Sequence, residues 1–170
     1  MYPKVDGSKV KLTNKGIKQI RLAAKKLKAA KIDLIFSSDL FRTRQTSKIL
    51  AKKLGIKKVV FSKKLRDINL GPYMGGKKED YYKDFPKKSI IRFSKTSRGL
   101  ESWNQCQRRI VGFVGKIDKK HKGKKILIVS HGDSLWLLEG WAKNWSKKRL
   151  LKEKYKNYIN TGQVRKLYGN

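Results

Sequence analysis

The sequence predicts an α/β protein, a three-layer α/β/α sandwich around a mostly parallel sheet, and three observations carry that expectation. Two short apolar runs end in small residues and then a charged side chain: Ile126-Leu127-Ile128-Val129-Ser130-His131-Gly132-Asp133 and Leu34-Ile35-Phe36-Ser37-Ser38-Asp39. Amphipathic stretches of helical period alternate with these runs along the chain. No internal repeat, linker or composition shift divides the 170 residues, so one domain covering 1–170 is expected.

The elements follow in order. Thr13 suits an N-cap, and Ile17, Ile20, Ala24 and Leu27 recur at helical spacing before residues 32–36 read as a strand. A second helix opens after Asp39 and runs to about Leu54, where Gly55 fits the C-terminal stop; Val59-Val60-Phe61 is the next strand. Residues 62–98, rich in glycine, serine and lysine, read as a long excursion with a short helical piece at 80–85. Trp103, Cys106, Ile110, Phe113 and Ile117 form one apolar helical stripe, which makes Cys106 a packing residue rather than a nucleophile. Residues 125–130 are a buried parallel strand, Asp133 or Ser134 caps a helix holding Leu135, Leu138 and Trp141, and residues 163–167 read as a last strand. Trp136, Trp141 and Trp145 are assigned to helix packing rather than base stacking.

Composition limits the function classes. Lysine and arginine total 45 against 12 acidic residues, a net charge of +33 that normally points to a nucleic-acid or anionic-surface partner. The basic residues are spread along the whole chain, from Lys25-Lys26 to Lys147-Lys148, so a solvated lysine-rich surface is favoured and nucleic-acid contact stays open without being favoured. A single cysteine gives no internal disulfide and residues 1–7 hold no signal-peptide core, so a cytoplasmic location is expected. No apolar run reaches the roughly 20 residues of a membrane span, and oligomeric state is not readable.

The strand-end positions carry the functional reading. Ligands of α/β sheets gather beyond the carboxyl ends of parallel strands. Arg42 opens the helix after one such strand and His131 stands at the end of another, together suggesting a phosphate pocket. An arginine in the first turn of a helix opposes the macrodipole, a cost that a bound anion reverses. His121, in Lys119-Lys120-His121-Lys122, reads as a solvated turn without a role. Gly71-Pro72-Tyr73-Met74-Gly75-Gly76-Lys77-Lys78 has P-loop spacing, but Lys78 replaces the hydroxyl that would bind magnesium and no buried strand precedes it, so the match is set aside.

Five segments in order resemble the histidine phosphatase superfamily, which includes the cofactor-dependent phosphoglycerate mutases. Leu12-Thr13-Asn14-Lys15-Gly16-Ile17-Lys18-Gln19 is similar to "LTxxGxxQ", and Ser38-Asp39-Leu40-Phe41-Arg42-Thr43-Arg44-Gln45-Thr46 to "SxLxRAxQT". Leu65-Arg66-Asp67-Ile68-Asn69-Leu70-Gly71 resembles "LxExxxG", Glu101-Ser102 with Arg109 resembles "GES…R", and Val129-Ser130-His131-Gly132 resembles "VSHG". The resemblance implies a phosphoglycerate mutase-like fold and metal-independent phosphoryl transfer from small phosphorylated substrates through a phosphohistidine, and no cofactor is expected. It implies that Arg42 and His131 bind phosphate, with His131 also a catalytic donor, and that Asp67 is the candidate catalytic acid. Aspartate is one methylene shorter than the glutamate of relatives, so a general acid and a plain loop carboxylate both stay open for Asp67. Hydrolysis and mutase transfer also stay open.

Relatives begin with a strand leading into "RHG", whose histidine is the nucleophile, and no such segment stands ahead of Leu12 here. The reading is therefore of a domain that is N-terminally incomplete, its first strand missing, through a misassigned start, a truncated gene or a pseudoenzyme. An incomplete chain of a functional phosphatase is favoured, because omitting a mid-sheet strand costs several hydrogen bonds of about 1 kcal/mol each against a stability of about 5–15 kcal/mol. The alternative from another class is a non-catalytic polyanion-binding protein.

Overall fold

Successive residues of a β-strand face opposite sides of the sheet, and Ile35 and Phe36 show what lies on each side. The computed structural model describes residues 10–96 and 99–167, so residues 1–7, read above for a signal-peptide core, lie outside the described residues. Ile35, on β1 (Leu34–Ser38), packs with Ile20, Ala24 and Leu27 of α1 (Asn14–Leu27) and with Leu50 and Ala51 of α2 (Phe41–Leu54). Phe36 turns to the other face, among Ile110 and Ile117 of α4 (Trp103–Lys120) and Leu138 of α5 (Gly132–Ala142). The three layers expected from the periodicity are present. β2 (Val59–Ser62) and β3 (Ile126–Val129) flank β1 in the order β2-β1-β3, with both pairings parallel.

Local signals set the boundaries. The Thr13 side chain accepts from the Gly16 N–H, Gly55 ends α2 at φ 71°, and Ser102 with Gln105 forms a reciprocal capping box on α4. The excursion after β2 carries three 3₁₀ turns and α3 (Lys78–Asp84). It covers its own core of Tyr81, Phe85, Phe93, Trp103 and Trp136. Gly71–Tyr73 is one of the 3₁₀ turns, following a loop and not a buried strand, so the P-loop spacing there is coincidental.

Several expectations need correction. The strand over 163–167 is absent: the segment is irregular, with Arg165 drawn instead onto Glu139 and the Asn157 carbonyl. α5 starts at Gly132 rather than behind an Asp133 or Ser134 cap, because the Asp133 carboxylate is taken by Lys154 and Tyr158 while the Ser134 hydroxyl donates to the Arg66 carbonyl. The first strand lies two residues later than 32–36, since Asp33 caps the Lys125 N–H. A last helix, α6 (Lys147–Lys156), escaped the periodicity because only Leu150 of its residues is buried. Trp136 is buried, but Trp141 is 51% exposed, so it does not pack as expected. His121 is not a freely solvated side chain, its ring lying 5.6 Å from that of Phe36.

The reading of β3 as a fully buried strand also fails. Ile126, Leu127 and Ile128 are only partly buried, because among the described residues β3 pairs with β1 alone. Along its other side runs a cavity of about 1720 Å³, walled by α1, α4, α5 and the segment after α6.

Candidate active site

The parallel register sets Ser37 beside Val129, so β1 and β3 end side by side and deliver Ser38 and His131 to the same spot. Arg42, in the first turn of α2, reaches across and its Nη2 donates to His131 Nδ1 at 2.9 Å. A guanidinium can only donate, so Nδ1 is the bare nitrogen and Nε2 carries the hydrogen, which points to Ser38 Oγ at 2.8 Å. His131 is 6% exposed, and burial, followed by the Arg42 charge, holds its pKa down to about 3. The ring is neutral at physiological pH. Both ring nitrogens are engaged within the protein.

Asp67 stands on the loop after β2, and it lines the wall of the same site as Arg42. Burial, followed by the charge of Asp133, pushes its carboxyl up to about 7, so Asp67 holds a proton near neutrality. Its loop is fixed from beneath. Arg109 grips Glu101 with two bonds of 2.7 Å and donates to the carbonyls of Lys64, Arg66 and Asp67. Ser130 Oγ donates to the Leu65 carbonyl at 2.7 Å. The Arg66 side chain is itself tied to Asp39 by two bonds of 2.7 Å.

A second carboxylate lies close by. Asp133 accepts from Lys154 and from Tyr158 Oη, the latter at 2.7 Å. Burial opposes its ionisation, yet Lys154 and Tyr158 hold its pKa below the ordinary value. Tyr158 needs the missing side chain of Gly132 to get there, since a Cβ at Gly132 would stand 2.3 Å from the Tyr158 oxygen. Cys106 lies in the core, and burial pushes its thiol up to about 12, which leaves it unreactive.

All three residues singled out from the sequence, Arg42, His131 and Asp67, thus meet at one place, and His121 lies outside it, in the turn leading into β3. Sequence reasoning missed the Ser38 contact, although Ser38 opens one of the quoted motifs. It also missed the Asp133–Lys154–Tyr158 cluster, for which only the glycine at 132 gave a hint. Two cavities meet at Arg42, Asp67 and Tyr158: the one beside β3, and another of about 1000 Å³ under the excursion. Among the described residues no cluster of histidine, cysteine and acidic side chains could hold a metal ion.

Fold and site define a three-layer α/β/α protein with a basic pocket at the carboxyl ends of parallel strands. The chain belongs to the histidine phosphatase superfamily, branch 1, whose family model matches residues 5–161. It is 32% identical over 130 residues to phosphoglycerate mutase-like protein 4 of Arabidopsis thaliana, covering 72% of this chain and 56% of that protein. To a probable phosphoglycerate mutase of Yersinia enterocolitica it is 33% identical over 131 residues, covering 75% of this chain and 60% of the relative. The chain therefore spans less than two thirds of these relatives. The fold is similar to that of a mycobacterial glucosyl-3-phosphoglycerate phosphatase, with a TM-score of 0.74, 21% identity, and coverage of 89% of this chain and 75% of that one. It is also similar to an α-ribazole phosphatase of Shigella flexneri, with a TM-score of 0.70, 20% identity, and coverage of 89% and 74%. Among the described residues no helix is long and apolar enough to cross a membrane.

Proposed function

We propose that this domain carries out phosphoryl transfer from small phosphomonoesters, to water or to a second hydroxyl, with Arg42 and His131 holding the phosphoryl group and Asp67 acting as the acid. The observation that carries the reading is the convergence of Arg42 and His131 across 89 residues of sequence, beside a carboxyl that keeps its proton near pH 7. A phosphoryl group in transit spreads negative charge over its oxygens, and a guanidinium fork meets that charge with two parallel donors. A nucleophilic histidine attacks phosphorus, the ester P–O bond breaks, and Asp67 passes its proton to the leaving oxygen. Asp67 then takes a proton from the incoming water or alcohol as the acceptor oxygen displaces the histidine.

Neither histidine of the chain suits the attack, since His131 is bound to Arg42 and Ser38 and His121 is remote. The proposal assigns the nucleophile to a further extended segment that adds to the open edge of β3. The partly exposed Ile126, Leu127 and Ile128, and the cavity of about 1720 Å³ along that edge, support this, because β3 is unpaired on that side among the described residues, and such an edge inside a three-layer fold leaves hydrogen-bonding groups and apolar surface without partners. The segment would arrive at Arg42 and Asp67 from the side opposite the excursion. The same proposal places the protein in the cytoplasm, where a reduced buried thiol such as Cys106 persists.

Inorganic phosphate titrated into the chain at physiological salt tests the reading. Arg42→Ala should weaken binding by about ten- to a hundredfold, the value of one or two charge-assisted hydrogen bonds. Affinity indifferent to Arg42, together with duplex binding that yields only when several lysines are neutralised, would instead favour diffuse polyanion binding by the +33 surface.

A further inference from the structure

The 3₁₀ turn Ile90–Phe93 is pinned in place and yet presents bare aliphatic side chains to water. Ser89 caps it by accepting from the Ile91 N–H at 3.2 Å, and Arg92 and Phe93 are buried beneath it. Ile90 and Ile91 are nevertheless 52% and 38% exposed, and Tyr155, on the neighbouring α6, is 45% exposed. Single apolar residues scattered over a surface are ordinary, but an adjacent pair held out on a pinned turn marks a contact.

The turn and α6 make one face. Tyr155 donates its hydroxyl hydrogen to the Lys87 carbonyl, the Lys88 ammonium lies 5.9 Å from the Tyr155 ring centroid, and the Lys147 ammonium lies 5.8 Å from that of Phe93. Along α6, Lys148, Lys152 and Tyr155 are exposed at four- and three-residue spacing, which lines them up on one side of the helix. Segments 86–96 and 147–156 together hold ten basic residues and one acidic residue, Glu153, whose carboxylate accepts from Asn157. Eight of the ten are exposed, and seven of those eight are lysines. On α3, Asp80 pairs with Lys83 and Asp84 accepts from Tyr73, so two of its three carboxylates are already engaged.

We propose that this face docks peripherally on an anionic lipid bilayer, with Ile90 and Ile91 entering the boundary between headgroups and acyl chains and the surrounding lysines meeting the acidic headgroups. Aliphatic anchors ringed by lysine suit that partner. Acyl chains take up branched side chains, and a lysine ammonium adds diffuse attraction to a charged surface rather than a fitted fork. A nucleic acid offers the isoleucines nothing comparable, since its binding proteins present aromatic rings and arginines to bases and backbone. The leaflet facing the cytoplasm is the acidic one, in keeping with the compartment proposed above. The contact is a surface attachment and calls for no spanning helix. It goes beyond the phosphoryl-transfer reading and does not depend on it.

Flotation with vesicles of phosphatidylcholine, alone or with about 30% phosphatidylserine, tests this at physiological salt. The chain should bind the acidic vesicles at least about tenfold more tightly than the neutral ones. Ile90→Ser with Ile91→Ser should weaken that binding about tenfold, and so should Lys88→Glu with Lys152→Glu; all four positions are exposed, so the core is untouched. Lys25→Glu with Lys26→Glu makes the same change of charge on exposed positions of α1 and should stay within about twofold of the parent, because screening confines the effect to charges near the bilayer. Equal losses from the two lysine pairs would show the overall charge of +33 at work and overturn the docking face, as would vesicle binding indifferent to the isoleucines. Failure to prefer acidic vesicles overturns it outright. If duplex DNA then binds, and Lys88→Glu with Lys152→Glu removes that binding while the isoleucine pair does not affect it, the face belongs to a nucleic acid instead.

Discussion

Arg42 and His131 hold one another across the ends of two parallel strands, Nη2 to Nδ1 at 2.9 Å, and Ser38 receives the opposite ring hydrogen at 2.8 Å. The pair fixes both the position of the guanidinium and the tautomer of the imidazole. A phosphoryl group bound as proposed would have to displace one contact to gain both donors. Were the guanidinium to turn to such an anion, Nδ1 would lose its donor and become the atom free to take a proton.

Phosphate binding should therefore be coupled to proton uptake. Burial and Arg42 hold His131 down to about 3 in the free protein, and a bound dianion favours the imidazolium. Titration calorimetry at pH 6 with sulfate, a phosphate mimic that is already a full dianion there and brings no proton of its own, should show in two buffers of different ionisation enthalpy the uptake of a fraction of a proton per anion. His131→Gln should abolish it. Identical heats in the two buffers for the parent protein would contradict the coupling.

The pH dependence of stability should split into two opposing parts. Between about 3 and its ordinary 6.5, His131 stays neutral in the fold but binds a proton when unfolded, so stability is lost as pH falls through that window. Asp67, pushed up from 3.8 to about 7, keeps in the fold a proton that the unfolded chain releases, so its contribution is lost as pH rises across that range. Asp67→Asn removes only the second effect. Its Tm should rise more steeply than the parent's between pH 4 and 6.5, and parallel curves would show that the Asp67 proton is not held as described.

Arg109→Ala should destabilise by about 2–4 kcal/mol, because it strands Glu101 and frees the carbonyls of the loop bearing Asp67. For a domain of this size the melting temperature falls on the order of 5–15 °C. Amide exchange should accelerate first in residues 64–69 and leave α1 protected. A uniform acceleration across the chain would make Arg109 an ordinary stabilising residue rather than the clamp of that loop.

The layers, α1 to α5 and the placement of Arg42 and His131 at the strand ends were legible because they depend on local patterns: apolar period, caps, and polar residues at strand ends. Arg109 was legible only as a motif letter, since its clamp joins α4 to a loop more than forty residues earlier. Lys154 and Tyr158 could not be found, because α6 buries little and is anchored by Asp133 and a glycine cradle rather than by an apolar stripe. The false strand at 163–167 fails for a related reason. Val164 and Leu167 give the segment apolar residues suited to a short strand, but Arg165 finds the buried Glu139 instead of a ladder partner. Asp67 shows the same division, its position readable from the sequence and its retained proton dependent on burial beside Asp133.

Phosphoryl transfer in this pocket is proposed to run through a histidine presented along the edge of β3 away from β1. The most direct measurement is to compare residues 1–170 with the same chain extended ahead of Met1 by a strand ending in Arg-His-Gly, incubating each with an aryl phosphate and mapping any phosphohistidine by mass spectrometry. Turnover and a phosphohistidine on the added histidine are expected in the extended chain, both lost with Arg42→Ala, and neither in residues 1–170 alone. Robust turnover by residues 1–170, or a well-folded extended chain that forms no phosphohistidine, would contradict it.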